Sequence, residues 1–315
     1  MPLDPLSADE IVAAVAAVRA AEGFRDLSSR IRFITIELRE PEKRDVLAWR
    51  SNQADATAPD QSGRATPREA YVVLLDQAVG LTHEVIVSLE EPAEVRSWRR
   101  REGVQPLATV AELAEAEELV RLEPQFQAAL RRRGLSDFEM IQVDAWPAGH
   151  FGYDDEEGMR LARCVAFVRD RPGDNEWAHP IEGLIALVDL NRLEVLWVRD
   201  HGVVPVPPEP GNFDPQSAGP LRTDIAPLEI AQPEGPSFTV EGNIVRWQRW
   251  QLHVGFTPRE GLVLGQVGYH DGNRLRSILY RASLSEMVVP YGDPSPTHYF
   301  KNAFDAGENG VGVAT

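Results

Sequence analysis

The sequence predicts an α+β protein: two small helix-plus-antiparallel-sheet modules, a proline-rich linker, and a third region built of strands. Three observations carry this. A helix followed by several strand-like runs occurs over residues 1–95 and again over 96–205. Proline then crowds residues 206–236, and strand-like runs without a helix signal fill 237–315. A chain of 315 residues, at roughly 100–200 residues per domain, accommodates two or three such units.

The first helix is announced by Ser7-Ala8-Asp9-Glu10, a capping box in which the Ser7 hydroxyl takes an early amide proton and Glu10 reaches back. Ile11, Val12, Val15 and Val18 recur at helical spacing, and Gly23 supplies a stop. Arg30–Leu38, Tyr71–Leu75 and His83–Glu90 read as strands, with Arg32, Thr35 and Glu37 marking a partly solvated face. Ser51–Pro67, rich in Ser, Asp, Ala, Gly and Pro, predicts a mobile hairpin loop.

In the second module Val110–Leu119 and Pro124–Arg133 read as helices. Glu139–Trp146, Arg160–Val168, Gly183–Leu190 and Glu194–Asp200 read as strands. The linker holds Pro205, Pro207, Pro208, Pro210, Pro215, Pro220, Pro227, Pro233 and Pro236, so it is stiff and extended. Its Leu221, Ile225, Leu228 and Ile230 predict packing on a surface. Ser237–Val240, Ile244–Gly255, Gly261–Tyr269 and Ser277–Met287 are the third region's strands, with a tight Asp271-Gly272 hairpin. A β domain must cover its core and its own edges. Residues 237–315, ending in the Gly-rich run 307–312, predict an unfinished one.

Composition excludes several functions. Thirty-two basic against 49 acidic residues leave a net charge of −17, which argues against nucleic acid and against an anionic membrane. The same field tolerates a cationic small molecule. A lone cysteine, Cys164, excludes an internal disulfide framework and a Cys-rich metal site, and reads as a small buried apolar residue. Neither a signal peptide nor a membrane-length apolar run is visible, and a cytoplasmic location is expected. The sequence holds no glycine-rich phosphate loop, G-x-S-x-G or H-E-x-x-H. The spacing of its seven histidines selects no ligand trio, and each reads as a surface or structural histidine. Trp247–Gln251 alternates like a half-exposed strand, and Trp98–Arg101 reads as a solvated face.

The last third carries a family signature. Phe256-Thr257-Pro258-Arg259-Glu260-Gly261-Leu262 is followed by Leu279-Tyr280-Arg281-Ala282-Ser283, Val288-Val289-Pro290-Tyr291-Gly292-Asp293-Pro294 and Lys301-Asn302-Ala303-Phe304-Asp305-Ala306-Gly307-Glu308. In that order these resemble the copper-containing, topaquinone-dependent primary-amine oxidases. Trp177-Ala178-His179-Pro180, Asp200-His201-Gly202 and Gln232-Pro233-Glu234-Gly235-Pro236 are similar to the same family, so the likeness extends over about residues 100–312.

The resemblance implies two accessory α+β modules and the opening strands of a large β-sandwich catalytic domain, beginning at 237. It implies oxidation of a primary amine by O2 and water to an aldehyde, ammonia and hydrogen peroxide. Copper on three histidines and a topaquinone made from a chain tyrosine are the family's cofactors, and a homodimer is its assembly. By the same resemblance Asp305 is the catalytic base, which takes a proton from the substrate carbon and needs a raised pKa in a dry pocket. Tyr291 holds the quinone through its hydroxyl, and Trp177 lines the amine channel. Ala303 stands where some relatives carry a bulky gate residue, which implies a wider channel mouth. The quinone-forming Asn-Tyr-Asp/Glu motif and the His-x-His copper pair are absent from the sequence. The 315 residues are therefore expected to supply a general base without an electron sink. A non-enzymatic interaction module and one chain of a two-chain enzyme are the alternative readings.

Overall fold

The computed structural model of the chain describes residues 1–54, 66–284 and 287–304. The first helix, α1 (Ala8–Ala20), starts at the expected capping box: Ser7 Oγ accepts from Glu10 N, and Ser7 N donates to Glu10 Oε2 at 2.8 Å. It ends at Ala21, before Gly23. Gly23 instead lies in a short turn, α2 (Glu22–Arg25), where an added Cβ would sit 3.0 Å from Cδ2 of Trp98; the glycine serves close packing rather than termination.

Strand β1 (Ile31–Leu38) is followed by a helix the sequence reading missed, α3 (Lys43–Ala54), a mostly polar stretch that buries Val46. The expected loop over 51–67 thus begins as the last turn of that helix, and its residues 55–65 lie outside the described set. Strands β2 (Glu69–Asp76), β3 (Leu81–Ser88) and β4 (Glu94–Arg101) complete an antiparallel meander in the order β1-β2-β3-β4. β4 runs across position 95. It turns Val95 and Trp98 toward the core, so of the solvated face expected at Trp98–Arg101 only Arg99–Arg101 are exposed.

The second module follows its expected outline. α4 (Val110–Leu122) opens on a second capping box, Thr109 with Glu112, and α5 (Pro124–Arg132) has proline in its first turn, where the missing amide costs nothing. Strands β5 (Ile141–Pro147), β6 (Leu161–Val168), β7 (Leu184–Asp189) and β8 (Glu194–Asp200) form a meander in that order. One face meets the helices through Val143, Ala166, Ala186 and Val188 against Leu113, Val120, Phe126 and Leu130. The other face is also covered, because Phe300 and Tyr299 pack on Val165, Phe167 and Ile185. Burial on both sides explains why β6 and β7 read as continuous apolar runs.

In the linker, α6 (Pro215–Ala218) is capped by Asp214. The packing expected of its apolar residues does not form: Leu221 and Ile230 are each 89% exposed, and Ile225 and Leu228 are exposed as well. Prolines hold this stretch extended, with no strand partner or helical face to turn those side chains inward.

Beyond it, β9 (Phe238–Glu241), β10 (Ile244–Trp247), β11 (Trp250–Thr257), β12 (Gly261–Asp271) and β13 (Arg274–Ser283) make a five-stranded antiparallel meander. The run read as one strand over 244–255 is two. Trp247 pairs with Trp250 across a tight turn, with Gln248 at φ 53°. The Asp271-Gly272 hairpin forms as expected, with Gly272 at φ 60° and Asp271 opposite Arg274. β14 (Val288–Pro290) and β15 (Asn302–Phe304) form a two-stranded ribbon.

The chain divides into two compact units. One holds residues 1–107 with 235–288, the other 108–234 with 289–303. Within the first, His253 Nε2 meets Asp4 Oδ1 at 2.8 Å, and Arg281 bonds both Glu40 and Glu260. Among the described residues no helix is long and apolar enough to cross a membrane.

Candidate functional site

β5 positions the site. Its residues alternate faces, so Ile141, Val143 and Ala145 enter the core while Asp144 and Trp146 point the opposite way. Trp177, in a short 3-10 turn over Glu176–Ala178, donates from Nε1 to Asp144 Oδ2 at 3.1 Å. Tyr291, directly after β14, stacks edge-on against Trp146, with ring centroids 5.7 Å apart and planes at 87°. Residues two apart on one strand face are separated by roughly 7 Å. One strand therefore gathers two of the three predicted residues, which lie far apart in sequence. Both present surface, Trp177 being 64% and Tyr291 57% exposed.

The third, Asp305, lies outside the described residues. The ribbon that leads to it is held by Tyr291 N, which donates to Lys301 O at 3.1 Å. Ala303, the small residue expected at the channel mouth, is buried.

Two further side chains stand beside β5, Lys301 on this face and Glu117 on the helix side, and were missed by sequence reasoning. Lys301 is 9% exposed, with its Nζ 5.1 Å from the centroid of Trp146. Burial pulls its pKa below the ordinary lysine value, against the opposing attraction of Asp144 and Asp293. Glu117 on α4 accepts from Ala145 N at 3.3 Å; burial and the nearby Asp144 charge raise its carboxyl, and the Ala145 amide works against them. The signal for Asp144 and Trp146 was the period-two placement opposite Val143 and Ala145; Lys301 and Glu117 had none. Together the face offers aromatic rings and the Asp144 carboxylate, which suit a small cation, and the Lys301 ammonium over Trp146, which opposes one.

Among the described residues, the histidines do not assemble a three-imidazole centre. Asp170, Asp174 and His179 are the one group there whose ligand atoms come within 4.8 Å of one another. One imidazole with two carboxylates does not fit the three-histidine copper site that the resemblance implies, and the quinone-forming motif is absent from the sequence. Cys164, in the middle of β6, is buried with its thiol pushed up by desolvation, so it is the inert apolar residue expected.

Comparison with known proteins aligns the whole chain with one family. Residues 1–100 match the copper amine oxidase N2 domain, 111–216 the N3 domain, and 239–315 the enzyme domain. The chain is 46% identical over 316 aligned residues to a primary amine oxidase of Arthrobacter sp. (strain P1), covering 99% of this chain and 45% of that protein. It is 42% identical to the histamine oxidase of Arthrobacter globiformis and 40% to the peroxisomal N-methylputrescine oxidase 1 of Nicotiana tabacum, covering 99% of this chain and 43% of each. A copper-containing benzylamine oxidase from Hansenula polymorpha superposes with a TM-score of 0.79 at 26% identity, over 99% of this chain and 48% of that one. The chain thus spans less than half the length of these relatives.

Proposed function

The chain belongs to the copper amine oxidase family, and from that premise we propose that it forms the accessory modules and first catalytic-domain strands of a primary-amine oxidase. The reaction is R-CH2-NH2 + O2 + H2O giving R-CHO, NH3 and H2O2. The observation that carries the proposal is the outer face of β5, where Asp144 and Trp146 bring Trp177 and Tyr291 together.

Copper and topaquinone supply the family's two-electron chemistry; the part proposed for this chain is substrate placement and proton handling. Asp305 takes the proton from the carbon that bears nitrogen. Tyr291, braced by the Trp146 ring, presents its hydroxyl as an orienting hydrogen bond. Trp177, fixed by Asp144, forms one wall of the amine's approach. The acidic balance of the chain, −17, favours a cationic amine. We place the protein in the cytoplasm.

The test is amine-dependent peroxide release by the protein isolated from its source, with a quinone stain and a copper assay on the same preparation. Asp305→Asn is expected to lower kcat by about 10²–10⁴, the usual worth of a general base. A copper-loaded, quinone-positive preparation that releases no peroxide on any primary amine would overturn the reading. So would full kcat in Asp305→Asn.

A further inference from the structure

The group Asp170, Asp174 and His179 flanks the turn that carries Trp177 and shares no side chain with the β5 face. We propose that it is a binding site for one first-row divalent cation, which ties the proline-rich segment at 207–212 to the second module.

The imidazole carries the argument. His179 is 2% exposed, and its backbone is fixed to the end of β6, where Val168 N donates to His179 O at 3.0 Å. Its Nδ1 lies 2.8 Å from the carbonyl oxygen of Pro207. A carbonyl only accepts, so Nδ1 carries a proton, and in the neutral imidazole it is Nε2 that faces inward with a lone pair. That Nε2 is enclosed and has no hydrogen-bond partner. A protonated outer nitrogen on a backbone carbonyl is the arrangement that orients metal-binding histidines.

The carboxylates complete the set. Asp174, 6% exposed, has its Oδ2 3.8 Å from Nε2. Two ligands that each hold an ion at about 2.0–2.2 Å stand roughly that far apart when the angle between them is open. A plain imidazole–carboxylate pair would close further. His253 and Asp4 in this same chain do so, meeting at 2.8 Å. Asp174 is held in place from both sides, its Oδ1 accepting from Asn212 Nδ2 at 2.5 Å and its Oδ2 from Asp170 N at 3.0 Å. Asp170 brings the third ligand from the exposed side. Imidazole with carboxylates suits Zn²⁺, Mn²⁺ and their neighbours, whereas a hard cation such as Ca²⁺ prefers oxygen alone. Because Pro207 orients the histidine and Asn212 orients Asp174, the ion and the segment at 207–212 stabilise each other.

Zn²⁺ titration of the chain by calorimetry, with Co²⁺ absorption as a second reading, tests this. One ion per chain is expected, with protection of 207–212 from proteolysis. Asp170→Asn, an exposed change that leaves the fold intact, should weaken Zn²⁺ by at least about tenfold, and His179→Gln should abolish binding. Absence of Zn²⁺ binding at millimolar concentration would overturn the proposal, as would binding that survives both substitutions. If His179→Gln does not fold, Asp170→Asn decides alone.

Discussion

Arg160→Met should undo the second module from inside. Arg160 donates from Nε and Nη2 to Glu112 at 2.8 and 3.0 Å, and the two side chains are 5% and 0% exposed. Glu112 also closes the α4 capping box, accepting from Thr109 N at 2.9 Å. Burial by itself would raise the Glu112 carboxyl; the Arg160 hydrogen bonds and charge, with those of Thr109, outweigh it and hold the pKa below the usual 4.5. Removing the guanidinium leaves a buried, uncompensated carboxylate, at a cost of about 3–5 kcal/mol. Amide hydrogen exchange in β6 and β7 should then accelerate roughly 10²- to 10⁴-fold at pH 7.

The pH dependence has a definite sign. In the parent the folded pKa is depressed, so the pair's contribution is present above 4.5 and is lost as pH falls through the depressed value. In Arg160→Met only burial acts strongly, the folded pKa rises, and acidification towards 4.5 restores stability instead. The double variant Glu112→Leu/Arg160→Met should recover most of the loss, because the orphan charge is gone. Exchange within about fivefold of the parent, or a variant that weakens on acidification as the parent does, would refute the reasoning.

Three further outcomes can be checked directly. Gly183→Ala should destabilise the second module by about 2 kcal/mol or more, since Gly183 has φ 76° and an added Cβ would lie 2.6 Å from Gly202 O; an unchanged urea midpoint would contradict this. Trp177→Phe deletes the hydrogen bond to Asp144 from a residue 64% exposed, so the fold should hold while KM for the amine rises and kcat stays; a fall in kcat alone would remove Trp177 from the channel wall. The Glu10 carboxyl, held by Arg68, should titrate at about 2 by NMR, its stabilising effect lost as pH falls from 4.5 towards that value. Arg68→Gln should return the midpoint towards 4.5, and a parent midpoint already there would sink the account.

Local chemistry was legible in the sequence. The capping boxes at Ser7 and Thr109 and the hairpin at Asp271-Gly272 lie within a few residues of chain, and β5–β8 stand near their expected positions. What could not be read depends on distant partners. α3 buries one apolar residue per several polar ones, and β4 is an edge strand whose arginines obscure its pairing with β3. The Trp247–Trp250 turn hides in an alternation that fits a continuous strand equally well. At the site, motif likeness pointed to Trp177 and Tyr291, but only the outward face of β5 shows what braces them. His179 is the buried, hydrogen-bonded histidine expected, but its partner, the Pro207 carbonyl, is 28 residues away and had no signal in the sequence.

The meanders have a consequence for synthesis. Every strand of the first two sheets pairs with its neighbour in sequence, so each sheet can close while the ribosome is still at work. The Asp4–His253 contact is different, because it spans 249 positions. At roughly 5–20 residues per second, Asp4 waits on the order of 12–50 s for its imidazole to be made. Through that interval Asp4 is without the β11 imidazole it finally meets. Within the first unit, the Asp4 carboxylate thus reaches β11 only after both early meanders have had time to close.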